Sequence, residues 1–362
     1  MNSSNKKINP SVCIIKSSYQ NIDINTLIKP FGSLNKFIKK GEHVLLKINL
    51  LNATEPNKAV ITNPKVVEAV AINVLKSGGI PIIGDSPSGP FTKRKLQKVY
   101  NMAGMTNLSN DLGVELNFNT KYTKLTIPDG KRLKNTYVCD FVLNADKIIS
   151  IPKIKTHSLM MMTLATKIMY GAIPGLTKVR YHSKYMRRKA LAEMLIDVLS
   201  ILNPDLIIMD GIVGMQGDGP AAGNPVELGV MLASDDSIAM DLTVCRMLNI
   251  EPIGIPTLKE AKIRNMWPNE ISFPLLSPDD VKYKSFTLPS TAGHLLTDEK
   301  KPKKDPVIMQ SCTACGECVD ICPKNAIKIN DNMAQINYQN CIKCYCCHEI
   351  CAYNAIELEN KK

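Results

Sequence analysis

The C-terminal region writes one motif twice. SCTACGECVDICPKNAIKI (311–329) aligns with NCIKCYCCHEICAYNAIEL (340–358) at a constant offset of 29 residues. Cys312, Cys315, Cys318 and Cys322 fall on Cys341, Cys344, Cys347 and Cys351, and Asn325-Ala326-Ile327 falls on Asn354-Ala355-Ile356. A duplicated C-x2-C-x2-C-x3-C pattern restricts the chain strongly, because each run of three closely spaced thiols must close around something. Soft thiolates suit iron–sulfur iron. Structural zinc sites favour two separated C-x2-C pairs, which this spacing matches poorly. Two departures stand out in the second copy. Cys346 is an additional thiol opposite Glu317, and Ala352 replaces Pro323. A position that holds a carboxylate in one copy is expected to face solvent in both, so Cys346 is read as a spare thiol.

The repeat resembles the two-cluster ferredoxin module of bacteria, in which the fourth cysteine of each motif serves the other cluster. That resemblance implies two 4Fe–4S clusters. Cys312, Cys315, Cys318 and Cys351 would hold the first, and Cys341, Cys344, Cys347 and Cys322 the second. It also implies single-electron transfer with a redox partner protein, and a module that does not fold without its clusters. Without a proline ring after Cys351, the first cluster is expected to be the more exposed one.

The rest of the chain differs in charge. Residues 305–362 carry seven acids and five lysines, net −2, while the whole 362-residue chain carries +12, so residues 1–304 carry +14. Two domains with different tasks explain the asymmetry. Nucleic-acid binding is disfavoured, because aromatics make up only 5% and no helix carries a dense Lys/Arg run. The N-terminus lacks an apolar signal region, and no segment has the length of apolar residues that a membrane span needs. These features predict a cytoplasmic protein with no membrane partner, where clustered thiols are metal ligands rather than disulfides. PSTAGHLLTDEKKPKKDP (289–306) reads as a linker between residues 1–288 and 307–362.

Residues 1–288 alternate strand and helix. SVCIIKS (11–17), HVLLKINL (43–50), IPIIGDS (80–86), VELNF, FVLNA, KIISIPKI, PDLIIMDGIVGM and VELGVMLAS (226–234) read as strands. Helices are predicted from Asn63-Pro64 to Gly78-Gly79, over 92–104, over 183–202 and over 235–250. The fold class is therefore α/β, with a mixed or mostly parallel sheet and flanking helices, followed by a small α+β ferredoxin-like domain. Cys13, Cys139 and Cys245 lie in apolar runs and read as buried thiols, and Met160-Met161-Met162 as core.

Ligands of such folds bind beyond the carboxyl ends of strands. Lys47, Asn49, Asp85, Ser86, Lys153, Lys155, Thr156, His157, Asp210 and Asp218 all fall at strand ends or in the following loops, with Lys167 nearby. Five distant segments would thus converge on a cationic site suited to a carboxylate or phosphate, an anionic small molecule. Lys155 and His157 are the candidate catalytic pair. QGDGP (216–220) is neither a Walker loop nor a dinucleotide fingerprint.

The segments VLLKINLL (44–51), TNPKVVEAV (62–70), GDSPSGP (84–90), IPKIKTHSLMMMTLATKIMYGAIPG (151–175) and DGIVGMQGDGPAAGNPVELGVMLASDDSIAMD (210–241) resemble a microbial, often anaerobic, family known only as domain of unknown function three-six-two. Many of its members carry a ferredoxin module. That family's pattern has an Asn after the lysine before the GxxPG turn, whereas Ile168 follows Lys167 here. Three functions remain open: electron transfer through two clusters, a cluster-dependent reductase (an oxidoreductase acting on a small carboxylate or phosphate), and a non-redox binding module with structural clusters.

Overall fold

A computed structural model describes residues 9–185, 187–293 and 304–359. Most of the expected linker lies outside the described residues.

Apolar runs with polar exits build the sheet. Its strands are β1 (Val12–Lys16), β2 (His43–Ile48), β3 (Ile80–Gly84) and β4 (Glu115–Leu116). A hairpin, β5 (Tyr122–Thr126) and β6 (Asn135–Cys139), follows apart from it, its β6 residues Thr136, Val138 and Cys139 buried. The sheet continues with β7 (Lys147–Ile151), β8 (Lys153–His157), β9 (Met161–Thr163), β10 (Leu206–Gln216) and β11 (Asn224–Ser234). The main order is β1-β11-β10-β7-β2-β3-β4, with β8 on β10 and β9 on β8. From β10 to β4 all neighbours are parallel, and β1, β11 and β9 pair antiparallel. KIISIPKI is therefore two strands, broken at Pro152, which has no N–H to give the ladder.

Helices cover both faces of the sheet, giving one apolar core on each. Pro64–Lys76 starts as its sequence requires: the Asn63 side chain accepts from the Lys65 N–H, and Pro64 occupies the first turn. Thr92 and Asp236 cap Lys93–Met102 and Ser237–Leu248 in the same way. Two readings need correction. FVLNA is one helical turn, Asp140–Leu143, rather than a strand. Four apolar residues are too few to separate the two by pattern. The helix expected over 183–202 is the end of one helix, Gly175–Lys184, and the whole of a second, Arg188–Ile201. Tyr185, between them, has a non-helical backbone. Cys13, Cys139, Cys245 and Met160–Met162 are buried, as expected.

The C-terminal module repeats in backbone as well as in sequence. Helix Glu317–Asp320 corresponds to Cys346–Ile350. β13 (Ile327–Asn330) pairs with β14 (Met333–Ile336), and β15 (Ile356–Glu359) pairs with β12 (Asp305–Ile308). Left-handed residues recur in register at Ala314 and Lys343, Gly316 and Tyr345, and Asn325 and Asn354. Gly316 adopts this conformation freely, whereas Tyr345 needs compensation. Its ring is buried and its hydroxyl donates to the Lys304 carbonyl at 2.9 Å.

Candidate functional site

The module packs on the carboxyl ends of the parallel strands. Asn52 Nδ2 donates to the Ile350 carbonyl at 3.0 Å, and the His348 ring reaches from the Ile356 carbonyl (2.7 Å) to the Asp218 carbonyl (3.3 Å). Glu317 pairs with Lys95 and, at 3.5 Å, with Lys98. Val179 joins the module's apolar cluster.

This packing corrects the reading of Cys346. The thiol is buried, not solvent-facing. Its counterpart Glu317 also faces the α/β domain, where two lysines meet it. A carboxylate at that place marked an ionic contact between domains rather than exposure to water.

Beneath the helix Cys346–Ile350 lies a cavity of about 60 Å³. From the α/β domain its walls include Asn49, Asp85, Ser86, Lys155, Thr163, Lys167, Ile168, Tyr170, Lys178 and His182; Ile321, Cys346 and Glu349 form its roof. Strand ends deliver the first group. Lys47 points back at Asp85, Nζ to Oδ1 2.8 Å, and donates to the Ile48 carbonyl at 3.0 Å. Asp85 also accepts from the Leu50 N–H (2.6 Å) and the Ser86 N–H (2.7 Å). Gly171 packs on this ion pair so closely that a Cβ there would overlap both Asp85 Oδ1 and Lys47 Nζ.

Three further lysines enter the cavity with no carboxylate paired to them among the described residues. Lys155 Nζ donates to the Val60 carbonyl at 2.7 Å and the Pro220 carbonyl at 3.4 Å. Lys178 donates to the Ser86 carbonyl, and Lys167 lies over the Tyr170 ring at 5.7 Å. Burial, and then the charge of Lys167, pull the Lys155 ammonium down to about 7. Burial takes Lys178 down to about 8, against the pull of Asp85, and lowers Lys167 as well. Burial also lifts the Glu349 carboxyl to about 7. Asn49 Oδ1, Thr163 Oγ1 and Glu349 Oε1 are buried with no hydrogen-bond partner among the described residues.

The remaining expected residues lie elsewhere. Lys153 pairs with Asp210 at 2.8 Å and meets the Tyr19 hydroxyl at 2.9 Å, away from the cavity. Asp218 accepts from the Ser290 N–H at 2.6 Å. His157 is behind the wall. Its Nδ1 accepts from the Leu159 and Met160 N–H groups at 3.1 and 3.3 Å, so Nε2 carries the proton. That nitrogen stands 3.4 Å from Glu349 Oε1 with no hydrogen bond between them. Burial and the nearby cations hold the imidazole well below its ordinary range. Thr156 is buried in β8, its hydroxyl accepting from the Gly219 N–H at 3.3 Å. Sequence reasoning missed Lys178, His182, Tyr170, Thr163 and Glu349. Lys178 and His182, four residues apart in one helix, share a face, and that spacing was the available signal.

The repeat cysteines line two further cavities. Cys312, Cys315, Cys318 and Cys351 surround one, and Cys322, Cys341, Cys344 and Cys347 the other. Each set mixes three thiols from one repeat with one from the other. Backbone N–H groups of Ala334, Ala326, Lys343 and Ala355 donate to the sulfurs of Cys312, Cys322, Cys341 and Cys351 at 3.2–3.4 Å. Such donors favour the thiolate, the form iron requires. Among the described residues, no three His, Cys, Asp or Glu side chains gather as tightly as a single metal ion demands. Thiols on the corners of a cubane stand further apart, because each meets a different iron. Cys315 is exposed, whereas Cys344 and Cys347 are buried.

An α/β domain with a lysine-lined cavity under a twofold cysteine module defines an iron–sulfur protein of two parts. The chain belongs to the family described as domain of unknown function DUF362, whose pattern matches residues 44–246, and residues 306–328 match a 4Fe-4S binding domain. A thylakoid-associated protein of Synechocystis is 32% identical over 269 residues, which is 74% of this chain and 82% of that one. The lactate racemase apoprotein from Thermoanaerobacterium thermosaccharolyticum is a distant structural likeness, with a TM-score of 0.43 and 14% identity. The match covers 68% of this chain and 58% of that one. No helix among the described residues is long and apolar enough to cross a membrane.

Proposed function

We propose that the chain is an iron–sulfur oxidoreductase that carries single electrons through two 4Fe–4S clusters to a small anionic molecule held at the domain junction. One observation carries this reading. Cys346 lines the cavity bounded by Cys322, Cys341, Cys344 and Cys347, and it also lines the cationic cavity. A ligand bound there is divided from the second cysteine set by little more than one side chain. The first set, with Cys315 exposed, faces outward and suits exchange with a redox partner protein. The ligand assignment is the crossed one that lines the two cavities.

When bound, the clusters supply electrons one at a time. The chain's own groups do the rest. Lys155, Lys167 and Lys178 hold the anion, and burial strengthens that attraction. Lys155, titrating near 7, can give or take a proton at Nζ close to neutral pH. The module's Ile321, Cys346 and Glu349 roof the cavity. His157 acts as a positioning residue beside Glu349 rather than as a group that touches ligand.

The test uses the full chain, reconstituted without oxygen, reduced, and mixed with small carboxylates and phosphates. Reoxidation should quicken with one class of ligand and lose that dependence in Lys155→Ala. Rates blind to every ligand and to the substitution would instead leave a carrier that passes electrons only between proteins.

A further inference from the structure

We propose that the cavity at the domain junction takes a small dianion, a molecule bearing one phosphate group or two carboxylates. This deepens the proposed function by naming the ligand class of the same site.

Lys47 is neutralised by Asp85 at 2.8 Å, so that pair contributes nothing net. Lys155, Lys167 and Lys178 remain on the walls, opposed among the described residues by Glu349 alone. Counted as groups, three lysines face one carboxyl, an excess of two basic groups. The other acids near the strand ends do not line the cavity: Asp210 pairs with Lys153, and Asp218 lies outside its walls. The partners that Lys155 and Lys178 do have are neutral carbonyls. Buried charge without a counter-ion is strongly disfavoured, and a ligand with two negative charges would complete the site. The lowered affinity of Lys155 and Lys178 for protons fits the same deficit.

Two further features point to a ligand. Thr163 is 6% exposed and lines the cavity, and among the described residues neither its hydroxyl nor the Asn49 side-chain carbonyl oxygen, also on the wall, has a hydrogen-bond partner. A cavity of about 60 Å³ has room for a compact oxyanion. Monoanions would leave one ammonium uncompensated.

Titration calorimetry on the reconstituted full chain at pH 7 tests this with inorganic phosphate, malonate and acetate. At least one of phosphate and malonate should bind about 100-fold or more tighter than acetate. Phosphate above malonate assigns a phosphoryl ligand, and the reverse order a dicarboxylate. Lys167→Met and Lys178→Met, each with iron content confirmed, should shrink the preference to about tenfold or less. Acetate binding as tightly as the dianions overturns the proposal, as does no binding of either dianion. Because binding is read without electron transfer, a chain that binds malonate but reoxidises indifferently refutes the redox reading and leaves this one standing.

Discussion

Replacing Asp85 by Asn should destabilise the α/β domain by more than any other isosteric change near the cavity. Lys47 and Asp85 are both essentially buried, with Nζ and Oδ1 2.8 Å apart. Asn keeps the volume and an acceptor for one of the Leu50 and Ser86 N–H groups, but it removes the charge. Lys47 then retains only the Ile48 carbonyl at 3.0 Å. Stripping one partner from a buried ion pair costs about 3–5 kcal/mol. A second N–H left without an acceptor adds about 1 kcal/mol or more. Domains are stable by about 5–15 kcal/mol, so the variant should lose about a quarter or more of that margin. Urea unfolding of the reconstituted chain, followed by far-ultraviolet circular dichroism, measures it. With a slope of about 3 kcal/mol/M, the midpoint should fall by about 1–2 M. Lys47→Met in the same chain should recover much of the loss, since two neutral groups replace one stranded cation. A fall below about 0.3 M would refute the ion-pair reasoning, because about 1 kcal/mol is what an exposed pair contributes.

Gly171→Ala should be destabilising through the same pair, since its Cβ overlaps Asp85 and Lys47; a midpoint equal to wild type would mean the 169–172 turn shifts freely. Cys346→Ser should leave iron at about eight atoms per chain, read by metal and sulfide analysis; loss of about four would make Cys346 a ligand. His157 is held neutral when folded, so the unfolded chain binds the extra proton below about pH 6.5, and stability should fall as pH drops from there. That acid-side loss should be smaller in His157→Asn, measured by urea midpoints at pH 7.5 and 5.5. Malonate affinity should weaken from pH 7 to 9, as Lys155 and Lys178 shed protons they need to hold an anion.

Much of the cysteine framework was legible because the 29-residue offset acts on every element of the repeat. The strand-end rule also reached Asn49, Asp85, Ser86 and Lys155, which the parallel strands carry to one edge. It could not separate them from Lys153 and Asp210. Those occupy the same edge but turn toward Tyr19, a residue from a distant loop. Glu349 and Cys346 were beyond reach for a different reason. Their role depends on the module folding back over the sheet, a contact between segments with no shared pattern. Lys178 and His182 come from a helix, Gly175–Lys184, of which only the last two residues fell within the helix expected over 183–202. Ile168, where the family resemblance led one to expect Asn, lies on the cavity wall.

The account stands on the adjacency of the second cysteine set to the cationic cavity. Its most direct test is the midpoint potential of each cluster in the reconstituted chain, with and without saturating malonate. An anion bound beside one cluster disfavours the more negative reduced state. One potential should therefore fall while the other holds, and the shift should vanish in Lys178→Met. Two potentials that ignore malonate, in a chain shown by calorimetry to bind it, would contradict the account.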